Sequence, residues 1–290
     1  MKPVKEQTIL VTGSTDGIGK LTALSLAKQH AEVLVHGRNE EKVHQVVTEL
    51  KLGTGNMKVA GFVADFSSLD EVRSLADQVQ QKFPELDVLI NNAGVGFDSN
   101  GLSKDGYELG FAVNYLASFL LTHLLLPNLK ESSPSRIVNV SSAGQQAIDF
   151  ESVTQENSDG VQAYCRSKLA LIMFTMDLAE QLEDEQITVN NLHPGTYLNT
   201  NMVRRAGIDP WGEPESGADA EVFLATSPAI NGTTGKYFNV TSEARADDQA
   251  YDAQARKKLW DLSMKLTGLA RIIHKRCNVP NLEAWEIGKW

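Results

Sequence analysis

The sequence predicts an α/β protein, a single domain with one doubly wound parallel sheet, helices on both faces and a helical extension at its C-terminal end. Two observations predict it. Short runs of β-branched and aliphatic residues alternate with stretches of helical period from residue 8 to about residue 240, the pattern of a parallel sheet with crossover helices. Where the first of these runs ends, a glycine-rich turn opens the first helix.

The first strand is expected over 8–11, followed by Thr12, Gly13, Ser14, Thr15, Asp16, Gly17, Ile18 and Gly19 and then by Leu21, Leu24 and Ala27 at helical spacing. Strand, glycine turn and helix in that order form the setting of a dinucleotide fingerprint. Glycines let backbone approach a pyrophosphate, and the helix start offers N–H donors and a positive dipole end. The glycine spacing is three residues and then one, unlike Gly-x-Gly-x-x-Gly, and a turn that only closes a tight junction would look the same locally. The second strand, 32–36, ends at Gly37, Arg38 and Asn39, about twenty residues past the turn, where this architecture meets the adenosine ribose. A carboxylate there would bond the 2′-hydroxyl. Arg38, with no acid before Glu40, favours the 2′-phosphate of NADP(H), leaving NAD(H) as the alternative. The third strand, 59–63, ends at Asp65, Phe66, Ser67 and Ser68; Asp65 is placed to accept from an adenine amine, Phe66 lies beside it in the cofactor set, and either serine can cap the next helix.

A helix over 69–83 precedes a buried strand over 86–90 and then Asn91, Asn92, Ala93 and Gly94, small residues that let a ligand lie against backbone. A helical region over 111–129, a strand over 136–140 and the run Ser141, Ser142, Ala143, Gly144 follow. Residues 147–160 read as loop, the next helix carries Tyr164 and runs to about residue 184, and a strand over 187–192 leads into His193, Pro194, Gly195 and Thr196. Residues 197–217, rich in Asn, Pro and Gly and carrying Trp211, are expected to form a structureless substrate lid, ahead of a helix over 218–226 and a last strand over 235–238. No repeat, charge block or linker interrupts the chain to this point. Residues 1–240 therefore read as one unit including the lid, and 241–290, with a helix over about 249–269, as an extension packed on it.

A net charge of −10 and a pI near 5.1 argue against a nucleic-acid or anionic-membrane surface, while leaving room for a local basic pocket. The only cysteines, Cys165 and Cys277, lie far apart and lack metal-ligand spacing, which points to a reducing compartment with neither disulfide nor metal site. Residues 1–7 lack an apolar signal core, and the longest apolar run, 116–126, is broken by Ser118, Thr122 and His123 and is too short for a membrane span, so cytoplasm is expected. The sequons at Asn139, Asn231 and Asn239 are then chance matches.

Tyr164 and Lys168 stand four residues apart, one turn above another on a helix face. A cation beside a phenol favours the phenolate and could give a proton donor and acceptor near neutral pH, although such a pair also arises by chance on solvated helices. In company with the glycine turn, Asp65, Asn91-Asn92-Ala93-Gly94, Asn114, Ser142 and His193-Pro194-Gly195, in that order over residues 8–240, the pair resembles the short-chain dehydrogenase/reductase family. The resemblance is nearest to its retinol-dehydrogenase-like branch, through Gly37-Arg38-Asn39, Asp65-Phe66-Ser67-Ser68, Ser227-Pro228, Gly235-Lys236-Tyr237-Phe238 and Lys258-Leu259-Trp260-Asp261-Leu262-Ser263.

The resemblance implies a Rossmann-type sheet and hydride transfer between NADP(H) and an alcohol or carbonyl substrate. It implies Tyr164 as general acid and base, Lys168 as the group that lowers the tyrosine pKa and holds the nicotinamide ribose, Ser142 rather than Ser141 as the holder of the substrate oxygen, and Asn114 as the keeper of a proton relay. Asn92, Ala93, Gly94, Pro194, Gly195 and Thr196 join the cofactor set, and His193 is structural. Membrane-bound relatives carry an apolar N-terminal anchor that is not expected here, so retinoid activity does not follow. The family places a Thr or Ser one residue before Thr200, whose role is left open. A homo-oligomer built through the 111–129 and Tyr164 helices, with Leu116, Phe119, Leu120 and Leu124 as its face, is compatible with the family; packing inside one chain explains the same leucines. Trp285 and Trp290 would cover the cleft, a neighbouring subunit or their own domain. Two rival functions remain: a catalytically silent NADP(H)-sensing regulator, and a sugar-nucleotide epimerase or dehydratase, which the glycine spacing disfavours.

Overall fold

The computed structural model describes residues 1–156 and 159–269. Eight strands form one sheet in the order β3-β2-β1-β4-β5-β6-β7-β8, comprising β1 (Thr8–Val11), β2 (Glu32–Gly37), β3 (Val59–Val63), β4 (Val88–Asn91), β5 (Ser135–Val140), β6 (Ile187–His193), β7 (Tyr237–Asn239) and β8 (Ser242–Ala244). All neighbours are parallel except β7 and β8. The order reverses between β1 and β4, and the crevice at the strand ends there is where this architecture takes a ligand.

Alternation along the strands builds a core on each face. Ile9 and Val11 of β1 pack with α1 (Gly17–Lys28), α2 (Glu40–Thr54) and α8 (Pro214–Thr226), whereas Leu10 points to α3 (Leu69–Lys82), α5 (Ala117–Glu131) and α6 (Gly160–Gln181). Helix starts are set by caps: Asn39 accepts from Lys42 N, Ser68 from Glu71 N, and Asp159 from Val161 N and Gln162 N. Ser68 is thus the cap of the two serines considered. The stretch Leu109–Glu131 opens with one turn, α4 (Leu109–Phe111), passes through a five-residue π segment, Ala112–Leu116, and continues as α5. By length and composition it could cross a membrane, yet 78% of its most apolar window is buried inside the protein.

Residues 40–54 form α2, closed by Gly55 at φ +70°. Residues 197–217, expected to lack structure, contain α7 (Asn201–Arg205), and α8 begins earlier than expected because Pro214 suits a first helical position. The sheet is parallel as expected from β3 through β7, and one antiparallel edge strand is added where Val240, at φ +58°, lets the chain turn back into β8. The helix expected over about 249–269 divides into a 3₁₀ turn, Asp248–Tyr251, and α9 (Ala253–Leu266).

Helix α9 also settles what covers the leucine face. Trp260 lies edge-on to Phe119 at 5.3 Å and to His123 at 5.2 Å, Tyr115 Oη meets Ser263 Oγ at 2.6 Å, and Arg256 reaches Asp177 at 2.6 Å. Leu116, Phe119 and Leu120 are fully buried within one chain and offer no face to a second subunit, whereas Leu124, the fourth residue of that face, is only partly buried. Cys277, Trp285 and Trp290 lie outside the described residues.

Candidate active site

The glycine turn is fixed by a residue the sequence reading passed over. Gly13 N donates to His36 Nδ1 (3.1 Å), so the proton of this neutral imidazole sits on Nε2 and goes to Ala64 O (3.0 Å). Burial pushes the His36 pKa down to about 4, which keeps the acceptor nitrogen free of a proton. Ser14 completes the tie by donating from Oγ to Val11 O and accepting from His36 N. Phe66 stacks on the imidazole at 4.4 Å and is buried, so its side chain supports the turn instead of facing the cleft. The available signal was a histidine inside an otherwise apolar buried strand, since such a group must find partners.

The turn leaves room for backbone to approach a dinucleotide. Gly13 sits at φ +65°, with Ala93 Cα 2.7 Å from where its Cβ would be, and a Cβ on Gly19 would meet Asn92 Nδ2 and, at 2.7 Å, Gly13 O. Asn92 closes the other side, donating from Nδ2 to Thr12 O (2.7 Å) and Gly13 O (3.1 Å). Asp16 caps α1 through Gly17 N, leaving the Gly17-Ile18-Gly19 turn at the positive end of the helix dipole. Thr15 packs over Gly37, and Arg38 beside it is exposed, with no side-chain partner among the described residues. Asp65, by contrast, already pairs with Lys104 at 3.1 Å. This set fits a nicotinamide dinucleotide.

At the reacting end, Lys168 is buried, donates to Val140 O at 2.9 Å and stands 5.6 Å from the centre of the Tyr164 ring. Burial drives its pKa down to about 8, with Glu221 opposing the shift. Tyr164 is shifted the other way, upward through burial, against a hydrogen bond from Ser142. The contact that opposes this rise is the one from Ser142. Ser142 Oγ accepts from Gly144 N (3.0 Å), which leaves its own proton for the phenol oxygen or a substrate oxygen. Ser141 faces inward and donates to Asn191 Oδ1 and, at 3.2 Å, to Leu192 O, so it cannot take that role. Phe97 lies edge-on to Tyr164 at 5.7 Å and walls one side.

Asn114 lies in the π segment with its amide committed. Oδ1 accepts from Val95 N (2.7 Å), and Nδ2 donates to Ser167 Oγ (2.9 Å) and Val95 O (3.3 Å). It clamps the Gly94–Val95 backbone beside Lys168 rather than presenting an amide to the cleft. His193 shares a hydrogen bond with Thr196 Oγ1 (3.1 Å), as a structural histidine would. The segment after β6 folds onto the glycine turn. Gly195 at φ +138° and Tyr197 at φ +47° are both left-handed, and Thr200 lies against Gly17. Asn201 Nδ2 then reaches Asp16 Oδ2 at 2.8 Å, and Met202 touches Gly96.

A cleft at a sheet's switch point, with a dinucleotide cradle at one end and Ser142, Tyr164 and Lys168 at the other, has the layout of a nicotinamide-dependent oxidoreductase. The sequence profile of the family described as short chain dehydrogenase matches residues 7–210. The chain belongs to that family. Within it the chain stands on the retinol-dehydrogenase-like branch: it is 36% identical to retinol dehydrogenase 13 of Mus musculus, over 91% of this chain and 84% of that one. Polyprenol dehydrogenase of Homo sapiens is 35% identical, over 92% of this chain and 87% of that protein. Among solved structures, a short chain dehydrogenase of Escherichia coli complexed with NADPH superposes with a TM-score of 0.67 at 28% identity, covering 81% of this chain and 96% of that one. The short-chain dehydrogenase described here is an oxidoreductase acting on CH–OH groups of a small molecule with NAD(P).

Proposed function

We propose that the enzyme is an NADP(H)-dependent alcohol dehydrogenase or carbonyl reductase with Tyr164 as its general acid and base. The observation that carries this reading is the Ser142 hydroxyl, oriented by Gly144 N–H, against the half-buried Tyr164 phenol with the Lys168 ammonium over the ring. Bound NADP(H) supplies or takes the hydride at the carbonyl carbon. Ser142 donates its proton in a hydrogen bond to the substrate oxygen, and Tyr164 delivers the phenolic proton to that oxygen in reduction or removes it in oxidation. Lys168 keeps positive charge beside the phenolate and holds the nicotinamide ribose. Asn114 positions the Gly94–Val95 wall of the cleft, and Pro194, Gly195 and Thr196 line the nicotinamide end.

The exposure of Arg38 beside Thr15 at the adenosine end supports a 2′-phosphate partner, as does the NADPH complex of the Escherichia coli relative. Residues 1–240 form the catalytic unit and 241–269 an extension of the same domain, working in the cytoplasm. The test is NADPH oxidation against a panel of aldehydes and ketones by wild type and Tyr164→Phe, with NADPH binding followed by fluorescence. Turnover falls at least about 100-fold, the size of a lost acid–base group, while binding persists; equal rates in the two proteins would refute the assignment.

A further inference from the structure

We propose that the chain beyond β6 clasps the loop carrying Ser142, with Tyr237, Gln145 and Gln249 as positioning residues for that serine; this rests on the reading of Ser142 as holder of the substrate oxygen. Residues 142–148 leave the sheet after β5 with no strand or helix of their own, ahead of the turns at 149–155, so their backbone groups need partners from side chains or other segments. The Ser142 carbonyl takes two donors, Tyr237 Oη at 3.2 Å and Gln145 Nε2 at 3.1 Å. Gln145 Oε1 in turn accepts from Asp247 N at 2.7 Å. Gln249 then satisfies both backbone groups of Ile148, accepting from its N–H at 2.6 Å and donating to its carbonyl at 3.1 Å. The donor segment is braced in its own right, through Gln249 N to Asp247 Oδ1 (2.9 Å) and Ala246 N to Tyr251 Oη (3.1 Å).

From the opposite side the same loop is tied into the sheet. Asn91, Asn139 and Asn191 are register partners across β4, β5 and β6, and Tyr237 is the next partner in that row. Asn91 Nδ2 donates to Asn139 Oδ1 (2.8 Å), and Asn191 Oδ1 accepts from Ser141 Oγ. Ser142 thus sits between a buried amide row that holds its predecessor and a clasp that holds its own carbonyl. Burial keeps Tyr237 a donor, with its pKa pushed up to about 12. Turning the Ser142 peptide would move Oγ relative to Tyr164, and displacements near 1 Å at a reacting centre change rates up to about 100-fold.

The experiment is a double-mutant cycle read by single-turnover NADPH oxidation, with amide hydrogen exchange as a second readout. Tyr237→Phe keeps the ring and removes one donor, so it slows the hydride step about three- to tenfold without changing NADPH affinity. In a Ser142→Ala background the same substitution has no further effect. Gln249→Leu slows the step similarly and speeds exchange at the Ile148 amide about tenfold. Equal losses with and without Ser142, or unchanged Ile148 exchange, would show that these side chains only support the fold and would overturn the clasp. Full activity in Ser142→Ala alone would instead overturn the role of Ser142.

Discussion

Glu221 is the most consequential side chain outside the reacting set. It lies in α8 with no exposed surface, accepts from Thr22 Oγ1 of α1 at 2.8 Å through Oε2, and has no partner for Oε1 among the described residues. Burial raises its pKa from the ordinary 4.5 to about 8, against the Thr22 hydrogen bond and the attraction of Lys168. A carboxyl with a raised native pKa binds its proton more tightly folded than unfolded. Stability is therefore lost as pH rises from about 4.5, with the full cost present above about 8. At about 1.4 kcal/mol per pH unit, the cost reaches roughly 5 kcal/mol across that window. Glu221→Gln keeps the acceptor for Thr22 and removes the titration. Lys168, lowered to about 8, works in the opposite sense: its cost is fully present below that pH and is relieved as pH rises toward 10.5. Glu221 attracts Lys168, so Glu221→Gln also lowers the Lys168 pKa further; the difference between the two proteins reads the pair, with Glu221 dominating below pH 8. Urea unfolding at pH 5, 6.5 and 8 should give nearly equal stabilities at pH 5 and a variant more stable by about 3–5 kcal/mol at pH 8. A difference that does not grow with pH would refute the buried, protonated state.

The cofactor cradle makes two further predictions. Arg38→Ala should weaken NADPH binding about 10- to 100-fold, the size of a charged hydrogen-bond pair, with NADH binding changed less than about twofold; a wild type that prefers NADH would remove the basis for the phosphate site. Gly13→Ala places a Cβ 2.7 Å from Ala93 Cα at φ +65° and should cost about 2–4 kcal/mol in denaturant unfolding, together with cofactor affinity.

What the sequence carried legibly was whatever is encoded locally. Strands β1 to β6, the glycine turn and the Tyr164–Lys168 turn each follow from a period or a spacing within a few residues, and each is where it was expected. The features that escaped depend on partners far along the chain. His36 reads as one polar residue in a strand until the donor for its Nδ1, Gly13 N–H, and the acceptor for its Nε2 proton, Ala64 O, come together from two other segments. Glu221 did leave a trace: Gly217, Glu221 and Leu224 share a helical face, and Gly217 and Leu224 are both buried, so the carboxyl had to be buried with them.

The same distance effect accounts for the leucine face. Leu116 and Phe119 suit a subunit contact and an internal one equally well, because an apolar helix stripe records that it will be covered and not by what. Trp260 decides between them. It supplies from α9 the aromatic surface that a partner would otherwise bring, while Ser263, one turn further, anchors Tyr115. The chain after β7 therefore has two separate effects on the catalytic unit: α9 seals the outer face of α5 and α6, and residues 245–251 reach the loop behind Ser142. A substitution in α9 such as Trp260→Ala acts on the first and should lower stability. A substitution at Gln249 acts on the second and should lower turnover, with a stability loss of about 1–3 kcal/mol from the Ile148 backbone groups it leaves unpaired.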